Sequence, residues 1–347
     1  MINMKRQTVF ALVCAALFSL SLACAAEAPG SPAVTQAIQT RTPEDSNLIW
    51  TASNVVLLAK EVAPGAYAVF PDDAEAKNKA GIPVATSGGF VVGNDAVLVV
   101  DTMLNRRLAT QMLALVKEKT DKPIRYVVNT SYHGDHSYGN QFFPKDVQII
   151  QHVETQKYIQ SHFADDIAFM KNFFGTKQGL DELEPQRAHV LVHDGATLEV
   201  DLGGKRAQIM HLGFAQTPGD LFVWLPNEKT LYSGNPIIAS PPALPWLLDG
   251  QLQESLATIR KLRKLLPDDA VVVPGHGYPT DVKSIDYPIA YLGQLEQEVQ
   301  AAIGRGLSEK ETVEAVTMEE HSGYKIFPWV HSQINVPKTY QELMQGK

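Results

Sequence analysis

The chain has 347 residues, with 30 basic against 38 acidic side chains and a formal charge of −8. Its basic residues form no dense cluster, so a surface that tracks phosphates is excluded and no nucleic-acid partner is expected. The only two cysteines, Cys14 and Cys24, fall within the first 26 residues, which removes thiolate chemistry from the rest of the chain.

In chain order, Lys5 and Arg6 precede an apolar run from Val9 to Leu22 and then small residues to Ala26. A basic segment, a short apolar core and small residues predict a secretory signal peptide over 1–26, cleaved after Ala25 or Ala26. Cys24 suggests a lipoprotein, but Ser21, Leu22 and Ala23 before it make a poor lipobox. No later segment reaches spanning length, so the mature chain is expected in the periplasm or secreted, with no stable membrane span. Losing Lys5 and Arg6 leaves 28 basic residues against 38 acidic ones, a formal charge of −10. Residues 27–50 are polar and unpatterned and predict an irregular arm. Residues 51–345 are expected to form one domain that ends in helices.

From Gly88 the pattern sharpens. "GGFVVG" and "NDAVLVVD" predict two strands ending at Asp101, and Leu104 to Lys119 an amphipathic helix. "PIRYVVN" predicts a strand that runs straight into the loop "TSYHGDHSYGN". "VQIIQH" is a further strand, and Glu154 to about Phe174 a helix. That helix carries Phe163, Phe169, Phe173 and Phe174, which either line a cleft or pack on a core. "ATLEVDLGG", "RAQIMHLG", "GDLFVWLP" and "TLYSGN" follow as consecutive strands. Leu252 to Leu266 repeats apolar residues at helical spacing, and "AVVVPGHG" is a strand that delivers His276 between two glycines. The tail from Tyr291 to Val316 is helical, with a break at "GRGLS". Helices interleaved with two sets of strands predict a layered α/β fold.

The candidate polar residues fall where strands end, which is where binding loops sit. His133, Asp135 and His136 share one tight loop, and imidazole with carboxylate is a donor set for zinc, iron or manganese. Ordinary readings stand beside this one. Asp135 can cap a helix that begins near His136, and Asp101 can brace the neighbouring loop. His152, His193 and His211 are further histidines later in the sequence.

"GGFVVGNDAVLVVD", the "YHGDHSYGN" loop, "AQTPGDLFVWLPNEKTLYSGN" and "VVVPGHG", in that order, resemble the landmarks of the metallo-β-lactamase fold superfamily. The resemblance spans Asn54 to Tyr291 and implies an α/β fold, an αββα four-layer sandwich with a metal cleft at one edge. Members include lactamases, thioester and lactone hydrolases and redox proteins, so the fold alone names no substrate. The family loop Thr-His-x-His-x-Asp-His falls here on Ser131, His133, Asp135 and His136. The next family histidine falls on Gln216, the aspartate that bridges two metals on Asn235, and the last histidine on His276.

Of the trio for one metal, Ser131, His133 and Gln216, only His133 is a good ligand. The trio for the other, Asp135, His136 and His276, is complete. The resemblance therefore implies one divalent metal on Asp135, His136 and His276, zinc first, with iron or manganese compatible. His133 and Asp135 are the expected catalytic side chains, His133 as base or proton shuttle. Ser131, Gln216, Asn235 and Asp101 are expected to orient substrate or ligands. His152, His193 and His211 are the candidate substitutes for lost ligands.

The function expected is exported, metal-dependent hydrolysis of an ester, lactone, thioester or amide in a small-molecule substrate; no protein partner is legible. One alternative is a degenerate member that binds a small molecule or protein without turnover. Another is a mononuclear metal enzyme with non-hydrolytic chemistry.

Overall fold

The computed structural model describes Trp50, residues 52–174 and residues 178–345. The expected leader, all of the arm before Trp50, and the side chains of Phe173 and Phe174 lie outside the described residues.

Seven strands form the first sheet in chain order: β1 (Leu57–Ala63), β2 (Ala66–Pro71), β3 (Gly88–Val92), β4 (Val97–Val100), β5 (Ile124–Val128), β6 (Gln148–His152) and β7 (Val190–Val192). The first four are an antiparallel meander, while β4 to β7 run parallel. Helix α1 (Ala74–Lys79) lies between β2 and β3. Parallel pairing needs crossovers. They are supplied by α2 (Arg106–Lys119), the short α3 (Gly134–Ser137) and α4 (Val153–Phe174).

The second sheet has the order β13-β12-β11-β10-β9-β8. It comprises β8 (Thr197–Asp201), β9 (Arg206–Met210), β10 (Phe222–Leu225), β11 (Thr230–Gly234), β12 (Val271–Pro274) and β13 (Thr280–Asp281). Between β11 and β12 the chain crosses through α5 (Leu252–Leu265). It finishes with α6 (Lys283–Gly304), α7 (Glu309–Ala315) and α8 (Val336–Gln345).

The layering follows from the two-residue period of the strands. In β4, Val97 and Val99 pack with Leu108 and Met112 of α2, while Leu98 and Val100 pack with Val223 and Leu225 of β10. In β10 itself, Phe222 and Trp224 turn the other way, onto Leu256 and Ile259 of α5. Both faces of each sheet are thus buried, and three apolar interfaces hold four layers together. Truncating Leu98, which is fully buried between the sheets, would cost about 2–5 kcal/mol.

The expected αββα sandwich is therefore observed, with local differences. The helix expected from Leu104 begins at Arg106, because the Asn105 side chain accepts the Leu108 N–H and caps it. The helix expected from Tyr291 begins at Lys283 and absorbs Pro288 within its second turn. The β1–β2 hairpin has no counterpart in the expectations: its exposed edge strand lacks strict alternation. Among the described residues no helix is long and apolar enough to cross a membrane.

Candidate metal centre

The ends of β4, β5, β11 and β12 meet at one edge of the sandwich. Just after β4, Asp101 takes a left-handed backbone conformation, with φ 62°, a strain that persists only where the surroundings enforce it. The turn places its carboxylate beneath the loop that follows β5. Asp101 Oδ1 accepts the Thr130 N–H at 2.8 Å, and Oδ2 accepts the Thr130 hydroxyl at 2.8 Å. Oδ2 also accepts Nδ1–H of the buried His136 at 2.8 Å. Gly134 opens α3 because a Cβ there would strike the Tyr138 ring. His133, not Asp135, holds the N-cap position of that helix. Asp135 instead reaches across to the Thr86 hydroxyl, which donates to Oδ2 at 2.5 Å.

His276 arrives from the far sheet. The loop after β11 receives the end of β12, with Gly275 N–H on the Ile237 carbonyl and His276 N–H on the Ile238 carbonyl. Gly275 has to be glycine, since a Cβ would strike Asn235. The ring is then aimed by Nδ1–H, which donates to the Val84 carbonyl at 3.0 Å.

The result is a small triangle of donor atoms. His136 Nε2 and His276 Nε2 are 3.4 Å apart, and Asp135 Oδ2 lies 3.4 Å from His276 Nε2 and 3.8 Å from His136 Nε2. Ligand atoms placed tetrahedrally at zinc bond lengths are about 3.3 Å from one another. Both histidines spend Nδ1–H on an acceptor, so in the neutral rings both Nε2 lone pairs point inward beside a carboxylate oxygen. Three acceptors converging without a hydrogen repel unless a cation lies among them. This donor set fits one divalent metal, and the outer partners Asp101 and Val84 hold the tautomer that ligation requires.

The local field favours positive charge at this point, a metal ion or, without one, a proton on His136. Burial opposes charge on His136, yet the Asp135 and Asp101 carboxylates raise it to about 9. Burial likewise opposes charge on Asp135, but His136 and His276 bring it down to about 2. His276 is held near 4 by burial, against the pull of Asp135.

The remaining expected residues surround a differently built half. Ser131 is fully buried, and its hydroxyl accepts the His133 N–H at 3.3 Å. Gln216 donates its backbone N–H to Asp220 at 2.6 Å, while its buried Oε1 has no partner. Asn235 Nδ2–H donates to His133 Nδ1 at 2.8 Å. His133 Nε2–H then donates to Asp249 Oδ2 at 3.0 Å. Both ring nitrogens of His133 are thus engaged. Phe163 and Phe169 pack on the core between the first sheet and its helices. The aromatic neighbour of the metal loop is Tyr132, stacked on Tyr158 at 3.7 Å.

Sequence reasoning missed Asp249, Thr86, Asp220 and Asp166. Asp220 lies in the quoted "QTPGD", and only its contacts give it a role: it accepts two backbone N–H groups and the Thr217 hydroxyl. Burial lifts Asp220 to about 6, and lifts Asp166, which accepts the Tyr138 hydroxyl at 2.5 Å, to about 6 as well. Asp249 and Thr86 stand in loops with no local signature.

His152, His211 and Asp194 form a second cluster, with ring centroids of the histidines 4.2 Å apart and Asp194 Oδ1 3.3 Å from His152 Nε2. Here the tautomers oppose ligation. His152 Nδ1 accepts the Glu154 N–H and His211 Nδ1 accepts the Gly195 N–H, while His211 Nε2–H donates to the Pro218 carbonyl. The neutral His152 ring therefore carries its hydrogen on Nε2, the atom a metal would need. His152 and His211 thus stand together in a cluster apart from the triangle, and His193 belongs to neither group.

Comparisons with known proteins accord with this geometry. Residues 81–276 match the family model of the Metallo-beta-lactamase superfamily. The linear primary-alkylsulfatase of Pseudomonas sp. (strain ATCC 19151) is 23% identical over 292 residues, 73% of this chain and 54% of that protein. The 2,4-dinitroanisole O-demethylase subunit alpha of Nocardioides sp. (strain JS1661) is 25% identical over 194 residues, 54% of this chain and 51% of that protein. The chain thus spans about half the length of these curated relatives. The solved metallo-beta-lactamase from Pontibacter korlensis superposes with a TM-score of 0.54 at 18% identity, over 69% of this chain and 99% of that one, a likeness of fold alone. With more than half of its length matched by the family model, and the four-layer sandwich in place, the chain belongs to the metallo-β-lactamase superfamily.

Proposed function

We propose that the protein is an exported hydrolase with a single divalent metal, zinc in the first instance, held by Asp135, His136 and His276. The observation that carries this reading is the triangle of inward-facing lone pairs, spaced for one tetrahedral ion and braced from behind by Asp101 and Val84. Bound there, zinc would supply Lewis acidity toward a carbonyl group and toward water.

The chain's own residues do the rest. Asp135 offers the metal one oxygen whose lone pairs are shared with the Thr86 hydroxyl, which fixes its orientation. His133 is the proton carrier: Asp249 receives Nε2–H and holds the ring, and Asn235 marks Nδ1 as the nitrogen that accepts. A leaving group or water that displaces the Asn235 amide would exchange its proton at Nδ1. Asp101 acts through His136 and touches no substrate. Ester, lactone, thioester and amide bonds are the substrates this chemistry serves. The export reading rests on the basic, apolar and small-residue order of residues 1–26, and residues 51–345 serve as one functional unit.

The test is elemental analysis of purified protein followed by an ester, lactone and thioester panel. One zinc per chain with turnover that a chelator abolishes is the expected result. Full zinc loading with no turnover across the panel would overturn hydrolysis while leaving the metal site standing.

A further inference from the structure

The half of the cleft that lacks a metal trio has a composition of its own. Three carboxylates gather there, Asp249, Asp166 and Asp220. The charges that bear most on His133, Tyr132, Asp166 and Asp220 are carboxylates, imidazoles and tyrosines, and no lysine or arginine is among them. One divalent ion does not neutralise this group. Its two charges are met by Asp135 and by Asp101 behind His136. Asp249 pairs with His133, at 3.0 Å.

Two buried polar atoms of this half, on Tyr132 and Gln216, lack hydrogen-bond partners. The Tyr132 hydroxyl belongs to a residue only 2% exposed and has no hydrogen-bond partner, although Asp249, Asp220 and Asp166 all act on it. Gln216 Oε1, on a residue 5% exposed, is a buried acceptor without a donor. A buried acceptor left unsatisfied costs about 1–3 kcal/mol, so a ligand that brings donors to it is favoured.

We propose that this half of the cleft binds an organic cation bearing N–H donors, a protonated amine carried by the substrate. The amine lies beside His133, Asn235 and Gln216, next to the triangle. It donates to Gln216 Oε1 and is balanced by Asp249 with Asp166. A sulfate ester would add a negative charge beside these carboxylates, so the substrate proposed differs in charge from the one named for the alkylsulfatase relative. The inference deepens the hydrolase reading and rests on it only for the word substrate.

The experiment is calorimetric titration of zinc-loaded protein, its zinc content measured beforehand, with butylammonium, tetramethylammonium and butyl sulfate. The expected result is one butylammonium site per chain, weaker binding of tetramethylammonium, which has no N–H, and no binding of butyl sulfate. Butylammonium affinity should fall about tenfold in Asp249→Asn and in Gln216→Leu, as for loss of a charged hydrogen bond. It should also fall in 0.5 M salt, a measurement that needs no variant. Butyl sulfate binding as tightly as butylammonium would overturn the proposal. So would butylammonium binding that salt and Gln216→Leu both leave unchanged. Butylammonium binding to protein that takes up no zinc, or that hydrolyses nothing, would sustain the cation site while removing the reading above it.

Discussion

Two clusters in this molecule have the same inventory, two histidines and one aspartate, and opposite suitability for metal. In Asp135–His136–His276 each imidazole gives Nδ1–H to an oxygen, and the Nε2 lone pairs converge. In His152–Asp194–His211 each Nδ1 receives a backbone N–H, so the hydrogens sit on Nε2. Asp135 is mostly buried and fastened to Thr86, whereas Asp194 has 84% of its side chain exposed. Residue types and mutual distances are therefore a weak criterion for a metal site. The groups on the far side of each ring decide which atom carries a lone pair.

The sharpest way to break this comparison is His276→Ala. It removes one corner of the triangle and should take bound zinc from about one per chain to none, read by elemental analysis; retained zinc would point to the other cluster. Next in size is Asp101→Asn, which keeps the shape and tolerates the left-handed backbone but weakens the partner of His136. Zinc affinity, measured by competition with a chelator, should drop about 10–100-fold.

His152→Asn should leave zinc content unchanged, because asparagine preserves a side-chain acceptor for the first turn of α4. Its effect belongs to stability. Burial and the neighbouring His211 hold His152 down to about 4, below the unfolded value near 6.5. A depressed histidine contributes stability that is intact above pH 6.5 and is lost as pH falls through 4. Wild type should lose on the order of 2 kcal/mol relative to the variant across that window, seen in denaturant midpoints against pH. The smallest effect is expected for Thr86→Val, about 1 kcal/mol of zinc affinity, through loss of one hydrogen bond to Asp135. If Thr86→Val matched His276→Ala, the orientation of Asp135 would matter more than the ligand count.

Much of the site was legible in one dimension, because its donors cluster in short motifs at strand ends. "YHGDHSYGN" and "PGHG" named Asp135, His136 and His276, and the unbroken apolar runs in "AVLVVD" and "DLFVWLP" are those of strands buried on both faces. Composition and the position of Cys14 and Cys24 excluded thiolate ligands from the described residues. The order of motifs along the chain was enough to predict the layers.

The partners of those donors were not legible. Thr86, Val84 and Asp249 stand 49, 192 and 116 residues from the side chains they hold. Nothing local distinguishes Asp249 from an aspartate in any exposed loop. Its reach to His133 depends on the loop after β11, which Asn335 clamps by accepting the Leu247 N–H and donating to the Pro245 carbonyl. Likewise, the backbone N–H groups that set the tautomers of His152 and His211 come from the folded chain and not from any local motif. Sequence determined which side chains are available as donors, because type and spacing are local properties. Only the tertiary structure decided where each lone pair points and which carboxylates share the cleft, because hydrogen bonds between distant loops set tautomer, orientation and field.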